Sequence, residues 1–377
     1  MEDAMMSAAC GQGQGSGFSV RISVIVPVFN RPRQLQGLLE AISSQNLSKD
    51  QFEVLVCDDG SSDRLGPLVD DAARRFGLQA THARQSRGGA GRARNLGISL
   101  ACGEILAFTD SDCLPDPGWL SEISRAFSDP TVGLAGGLVE GRGARSVSGR
   151  CVGFLMSSTL GSGGARDPRG LVHMDYYPRT CNLAVRRDLA RAVGGFPAST
   201  HGEDLEFSHQ VREANAGVRF LPDAIVVHDE RRTIPRVAFE AFLKGRTRVH
   251  LARRLAMHQL IHAVPAMFVI YLALLTVSLS IEGLASPLVI APSLAYMAAL
   301  ASLALHGFMA VGGADVLLLI PAFAAAMHLG YGVGYLSALP ELFRRPRPPG
   351  LLAVQRSVPG EVLVVDNGTG PGGEGFT

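Results

Sequence analysis

Apolar and polar positions along the first third of the chain switch between a period of two and a helical period. Arg21 to Val28 is a β-branched run closed by Pro27, and Leu35 to Ile42 follows at helical spacing, so the pattern predicts strand, loop, helix. Phe52 to Cys57 is a second strand-like run; it leads into the turn formers Asp58-Asp59-Gly60-Ser61-Ser62-Asp63 and a helical stretch from Leu68 to Phe76. Thr81 to Arg84, the glycine-rich turn from Arg87 to Arg92 and a helix through Asn95 and Leu100 make a third unit. Glu104 to Phe108 then reads as a buried strand that ends abruptly in Thr109-Asp110-Ser111-Asp112. Strands and helices alternating through short loops predict an α/β fold on a mostly parallel, doubly wound sheet.

From Gly118 to about Asp223 the pattern is less regular. A helix is expected from Trp119 to Phe127, a strand from Val132 to Leu138, and another from Thr180 to Val185. Between them, Arg142 to Asp167 is rich in Gly, Ser and Arg and shows no assignable element; a segment of that length in a compact domain is expected to be a functional loop or lid. Gly194-Gly195-Phe196 is a turn, and His201-Gly202-Glu203-Asp204-Leu205-Glu206 opens a helix running to Ala214.

Beyond Pro235 the composition changes. Phe239 to His258 interleaves Lys244, Arg246, Arg248, Arg253 and Arg254 with Phe242, Leu243, Val249, Leu251 and Leu255, the pattern of an amphipathic helix in a headgroup region. Three apolar stretches follow, Leu260 to Ile281, Leu288 to Val311 and Val316 to Leu339, each of about 20 residues or more, the length that crosses a bilayer core. Glu282 and Gly312-Gly313-Ala314-Asp315 mark the turns between them. With the basic helix inside, three crossings put Arg344, Arg345 and Arg347 outside, against the positive-inside rule, unless one segment is re-entrant or interfacial. The expected organisation is a tail (1–19), a catalytic domain (20–235), an interfacial helix (236–258), a membrane region (259–340) and a Pro/Gly-rich tail (341–377).

Composition excludes some functions. A net charge of +1 gives no global field for nucleic acid, and no nucleic-acid partner is expected. The first nineteen residues lack a basic n-region and a long apolar core, so they do not read as a signal peptide, and the catalytic part is expected in the cytoplasm, tethered to the inner membrane. The six cysteines have no C-x-x-C pair and no histidines at zinc spacing, which points to reduced thiols.

Chemistry concentrates at the strand ends. Asp110 and Asp112, at i and i+2, point the same way on an extended chain and can hold a hard divalent cation that neutralises a substrate phosphate; the bland alternative is a polar turn. Asp58 and Asp59 end the second strand nearby, so four carboxylates crowd one sheet edge and need a cation or donors. The glycine-rich turn offers backbone amides, with Arg87, Arg92 and Arg94 as positive charge for a diphosphate. Glu203 and Asp204 serve either as helix-start carboxylates or as chemistry, and His228, after Ile225-Val226-Val227, either as a third metal ligand or as a structural histidine.

Together these segments resemble the family 2 glycosyltransferases, inverting enzymes with the nucleotide-binding fold called GT-A. The matching residues are Val24-Ile25-Val26-Pro27-Val28-Phe29-Asn30, Val56-Cys57-Asp58-Asp59-Gly60-Ser61, Ala93-Arg94-Asn95, Phe108-Thr109-Asp110-Ser111-Asp112, and Gly194-Gly195-Phe196 with Gly202-Glu203-Asp204, covering about Ser19 to His228. The resemblance implies a nucleotide-diphosphate sugar as donor, UDP favoured, with Pro27, Phe29, Asn30 and Asp58 around base and ribose. Asp59, Arg94, Asp110 and Ser111 complete the donor-binding set. Asp110 and Asp112, with His228 as a candidate third ligand, would hold Mn²⁺ or Mg²⁺. Asp204 is implied as catalytic base, with Glu203 orienting it or touching the acceptor.

Two departures bear on the expectation. Ser86 stands where the family often has Asn before the glycine-rich turn, and no Q-x-x-R-W follows Asp204, which implies transfer of one sugar per binding event. The stretch His328 to Tyr335 is similar to the membrane end of bacterial exopolysaccharide glycosyltransferases, implying a lipid-linked or glycan acceptor such as a polyprenyl-diphosphate-linked sugar. Transfer to polyprenyl phosphate itself and a non-catalytic nucleotide-sugar-binding scaffold are the alternatives.

Overall fold

The computed structural model describes residues 20–140, 146–162, 176–197, 202–214, 216–228, 233–255, 260–281 and 286–343. The expected tail at 1–19, His201 and the turn at Glu282 lie outside the described residues, as does the expected tail at 341–377 apart from residues 341–343, which are helical.

Strands β1 (Ile22–Val28), β2 (Phe52–Asp58), β3 (Ala80–Arg84) and β4 (Ile105–Phe108) are parallel in the order β3-β2-β1-β4, connected by helices α1 (Pro32–Ser43), α2 (Gly66–Phe76) and α3 (Ala90–Leu100). The pleat distributes β1 between two layers. Ile22, Val24 and Val26 meet Leu35, Leu38 and Leu39 of α1 in one cluster, whereas Ile25 joins Ala93 and Ile98 of α3 in the other. Pro27 lies past Ile25, the last β1 residue paired with β4, where no donor is needed on that side.

The second half of the sheet is mixed. After β5 (Cys113–Pro115), α4 (Trp119–Ala126) and β6 (Val132–Glu140), strand β7 (Leu183–Arg186) enters between β4 and β6, antiparallel to both. Strand β8 (Gly217–His228) is parallel to β6 and antiparallel to β5, giving the order β3-β2-β1-β4-β7-β6-β8-β5. The expectation of a mostly parallel sheet therefore holds through β1 to β4 and again for β6 with β8, while β5 and β7 run antiparallel to their neighbours, because short apolar runs carry no sign of direction. The strand expected over Thr180 to Val185 is a single tight turn, Thr180–Asn182, followed by β7. That turn buries Asn182, whose Oδ1 accepts from Trp119 Nε1 at 2.8 Å and whose Nδ2 donates to the carbonyls of Leu138 (3.0 Å) and Ala224 (2.8 Å). One amide side chain thus joins α4, β6 and β8, and every buried polar group involved is satisfied.

The described part of the Arg142 to Asp167 stretch is helical: α5 (Val147–Ser157), capped by the Ser146 hydroxyl, then α6 (Thr159–Ser162). Helices α7 (Arg187–Ala192) and α8 (Glu203–Glu213) complete the sheet region. Helix α9 (Ile234–Leu255) precedes α10 (Val264–Leu279), α11 (Pro287–Val311) and α12 (Val316–Phe343). Three stretches, Leu260–Leu279, Val289–Val311 and Val316–Glu341, are long and apolar enough to cross a membrane, and Leu260, Met267, Leu274, Leu294, Met309 and Leu318 are exposed on them. The apolar side of α5 packs on this group: Cys151, Leu155 and Met156 are buried with Leu300 and Leu303 of α11 and Ile320 and Phe323 of α12.

Helix α9, expected over Phe239 to His258, begins earlier and runs lengthwise along α12. A Cβ at Gly330 would lie 2.3 Å from the Ala238 carbonyl oxygen, one at Gly334 2.0 Å from that of Phe242, and one at Gly245 2.2 Å from that of Tyr331. Gly330 and Gly334, four residues apart, therefore present bare backbone to α9, while a Cβ added at Gly332 would lie 2.3 Å from the Pro265 carbonyl oxygen of α10. Arg246 and His250 close the contact on Glu341, both at 3.2 Å. Of the cysteines, Cys57, Cys113, Cys151 and Cys181 are free, as expected.

Gly334→Leu should separate α9 from α12, overpacking a backbone contact at a cost of about 1–3 kcal/mol or more. A lowered melting temperature in detergent and faster tryptic cleavage within α9 are the expected readings; an unchanged melt would show that the close approach carries no stability.

Candidate active site

Three loops at the C-terminal edge of the parallel strands build the donor side. In the β1–α1 loop, Asn30 adopts a left-handed φ of 52°, a conformation its short polar side chain tolerates. Its Oδ1 accepts the Ser62 amide at 2.8 Å, and its amide donates to the Ser61 hydroxyl at 2.9 Å, so the first loop is tied to the Asp58-Asp59-Gly60 turn. Phe29 is half-buried under the Arg87 guanidinium, 4.3 Å from the ring centroid. Pro27 is buried in β1, and Asp58, also buried, accepts the Ser61 amide at 2.8 Å and stands 3.4 Å from His82 Nε2.

Asp59 is engaged by the glycine-rich turn. Its carboxylate accepts the amides of Gly88 and Gly89, each at 2.7 Å, and the Gln85 side chain at 2.8 Å. The amides expected to face a diphosphate are directed inward at Asp59, and this carboxylate shapes the glycine-rich turn, where Gly89 needs a φ of 91°.

The β4 end carries the other carboxylates, each held by an arginine. Asp110 accepts from Arg94 at 2.9 Å, and the same guanidinium reaches Glu203 at 3.4 Å. Arg94 is buried: burial alone would lower its pKa, but Asp110 and Glu203 outweigh burial and raise it. Asp112 pairs with Arg31, and its other oxygen lies 3.5 Å from His228 Nε2. The register that sets Cys113 opposite His228 in the β5–β8 pairing is what brings His228 here. Ser111 is buried between the two aspartates. Asp110, Asp112, Cys113 and His228 each offer a ligand atom, all within 4.8 Å of one another. Cys113 is a poor candidate among them, since a hydrogen bond to Cys181 and burial push its thiol well up.

The Asp204 side is set by an aromatic and amide clamp. Asn95 donates to the Phe196 carbonyl at 2.9 Å and accepts its amide at 2.7 Å, fixing the Gly194-Gly195-Phe196 turn on α3. Phe196 stacks on Phe207 of α8 at 4.1 Å between centroids and meets Phe108 of β4 edge-on at 5.2 Å. Helix α8 therefore starts beside β4, with Gly202 at a φ of 81° and Glu203 and Asp204 in its first turn. Asp204 is half-buried, and its Oδ1 accepts the Leu205 amide at 2.9 Å.

All the residues named from the sequence are thus gathered at one sheet edge, with Asp59 a step behind it. Arg31 was not among them, although charge balance signals it: so many carboxylates require cations, and Arg31 adjoins Phe29-Asn30.

Comparison with known proteins places the chain in a class. Mannosyltransferase PcManGT from Pyrobaculum calidifontis, solved with GDP-Man and Mn²⁺, superposes with a TM-score of 0.58 at 21% identity over 88% of this chain and 93% of that one, so the fold is GT-A. The profile "Glycosyl transferase family 2" matches residues 23–166. Glycosyltransferase AglE of Haloferax volcanii is 31% identical over 213 residues, 56% of this chain and 67% of the relative. Pre-mycofactocin glycosyltransferase of Mycobacterium tuberculosis is 32% identical over 234 residues, 59% of this chain and 46% of the relative, so the chain spans just under half of that protein. The chain belongs to glycosyltransferase family 2.

Because Arg31 occupies Asp112, Arg31→Ala is expected to tighten Mn²⁺ binding by the nucleotide-free protein a few-fold, as suits a part-exposed ion pair worth about 1 kcal/mol at most. Titration of free Mn²⁺ by electron paramagnetic resonance reads this directly; weaker binding would mean that Arg31 organises Asp112 rather than competing for it.

Proposed function

We propose that the protein is an integral-membrane, metal-dependent, inverting glycosyltransferase that moves a single sugar from a nucleotide-diphosphate sugar, a UDP-sugar by preference, to a lipid-linked or glycan acceptor at the cytoplasmic face of the inner membrane. The observation that carries this reading is the convergence of Asp110, Asp112 and His228 at one point, with Asp204 beyond the Arg94–Glu203 pair. Two carboxylates and an imidazole suit Mn²⁺ or Mg²⁺. A divalent cation held there supplies positive charge that stabilises the departing nucleoside diphosphate, so no protein acid is needed. Asp204 takes the proton of the acceptor hydroxyl as that oxygen attacks the anomeric carbon on the face opposite the leaving group. Glu203, paired with Arg94, orients that helix turn. The loop of Phe29 and Asn30, with Asp58, receives the nucleoside.

The proposed membrane arrangement is supported by the contacts of α12. Its first turns are buried against α5, His328 lies 3.2 Å from the Gly161 carbonyl, and Glu341 pairs with α9, so both ends touch the sheet domain or the helix clamped to it. One of the three apolar helices is read as re-entrant or interfacial, and α12 is the candidate. This keeps Arg344, Arg345 and Arg347 on the catalytic side, as the positive-inside rule requires.

Detergent-purified protein supplied with Mn²⁺ and a panel of nucleotide sugars should turn over one donor. EDTA and Asp112→Ala should abolish that, and Asp204→Asn should lower transfer by about 10²–10⁴. Retained anomeric configuration in the product would overturn the inverting assignment, and full transfer by Asp204→Asn would remove Asp204 as base. A protease-cleavable tag at the C-terminus should be cut in inside-out vesicles and protected in right-side-out ones; the reverse pattern would restore three crossings.

A further inference from the structure

The end of β1 lies between the two halves of the donor side. Strand β1 pairs with β2 on one edge and with β4 on the other, so the Asp58-Asp59-Gly60 turn and the Asp110-Ser111-Asp112 turn flank the loop that carries Phe29, Asn30 and Arg31. Neighbouring strands stand about 4.8 Å apart, which sets the two turns roughly 10 Å from each other, a span that suits a nucleoside diphosphate lying across the end of β1. Asn30 is tied to one flank through Ser61 and Ser62, and Arg31 to the other through Asp112. The chain passes from one flank to the other at Asn30, where φ is 52°.

A diphosphate laid there needs positive groups, and those around it are committed elsewhere. The Gly88 and Gly89 amides are directed at Asp59, Arg87 covers the Phe29 ring, and Arg84 donates to the Ser61 carbonyl at 2.8 Å. A Cβ at Gly88 would lie 2.6 Å from Arg92 Cδ, so Arg92 folds back over the glycine-rich turn. Arg94 is locked between Asp110 and Glu203, with 5% of its side chain exposed. Arg31 differs: 40% of its side chain is exposed, and it holds a single carboxylate oxygen, Asp112 Oδ2. The Asp112 side chain is 8% exposed, and its Oδ1 faces His228 at 3.5 Å. A divalent cation held by Asp112 and His228 repels a guanidinium on the same carboxylate, and a part-exposed arginine loses little by moving.

We infer that Arg31 is a donor-phosphate ligand that exchanges partners: its guanidinium neutralises Asp112 until a divalent cation takes that carboxylate, and then turns to the diphosphate of the nucleotide sugar. The planar fork suits phosphoryl oxygens, which it grips through paired N–H donors, and it adds positive charge where the leaving diphosphate accumulates negative charge. The exchange couples the two ligands. A metal ion arriving alone has to displace Arg31 into water, whereas one arriving with the nucleotide displaces it onto an anion. Metal and nucleotide therefore bind more tightly together than separately, and Arg31 supplies part of that coupling. This assignment rests on the glycosyltransferase reading and adds a residue to its donor site.

Titrations of the detergent-purified full chain test it. Mn²⁺ alone is followed by electron paramagnetic resonance, and UDP, GDP, uridine and guanosine by calorimetry at saturating Mn²⁺, on wild type, Arg31→Ala, Arg31→Lys and the neighbouring surface variant Arg33→Ala. Arg31→Ala should bind Mn²⁺ alone a few-fold tighter and yet bind the preferred nucleoside diphosphate about tenfold more weakly, with the matching nucleoside within about twofold. Effects of opposite sign in one variant separate exchange from misfolding, which weakens both. Arg31→Lys should recover part of the diphosphate affinity, and Arg33→Ala should match the wild type. Weaker binding of Mn²⁺ alone by Arg31→Ala, unchanged diphosphate binding, loss of diphosphate and nucleoside in parallel, or an equal loss in Arg33→Ala would each overturn the exchange. A wild type that binds Mn²⁺ but none of the four ligands would count against the transferase reading as well, whereas one that binds UDP or GDP whatever stands at position 31 would remove only the arginine.

Discussion

The arrangement depends on one electrostatic constraint: a sheet edge crowded with carboxylates must be compensated before it can be buried. The Arg94 guanidinium provides the main compensation, lying between Asp110 at the end of β4 and Glu203 at the start of α8. Breaking a buried pair of this kind is far more damaging than the pair is stabilising, because the partner left behind has neither water nor countercharge. Arg94 therefore fixes the separation between the strand end and the helix that carries Asp204. Asn95, the next residue, fixes their orientation by gripping the Phe196 backbone. Two adjacent side chains on α3 thus register the two halves of the site.

Much of this was legible in the chain. Strands β1 to β4 were readable because their apolar runs are bounded by turn formers and separated by helical spacing. The carboxylates at 110, 112, 203 and 204 stood out because they interrupt such patterns at element ends. Partners were less legible. Nothing local distinguishes buried Arg94 from exposed Arg92, two positions away on the same helix. Asn182 reads as an ordinary polar position in a strand, although it ties α4, β6 and β8 through one amide. Direction was equally hidden at β7, where a four-residue strand pairs antiparallel on both sides. Helix α5 was missed because its apolar residues face α11 and α12, which lie well over a hundred residues further on, and not the sheet of its own domain.

That packing makes the apolar helices part of the catalytic body. Cys151 and Leu155 of α5 and Val237 and Ala241 of α9 share one buried cluster with α11 and α12, and α9 contacts the turn that opens α8. The two small-residue faces of α12 allow it to approach both α9 and α10 at backbone distance, a geometry that tolerates little relative sliding. The apolar helices and the helices that position Asp204 are therefore one packed set.

The pairing of β5 with β8 has a consequence in time. Asp112 leaves the ribosome more than a hundred residues before His228, and only the antiparallel register Cys113↔His228 joins them. Loop closure over such a separation must precede the reward of the contact, so this corner of the sheet is among the last to form. A nascent chain that has completed β1 to β4 already displays its aspartates but not the imidazole. The cluster around Asp112 is completed only once the whole sheet is closed, so an unfinished domain cannot assemble it.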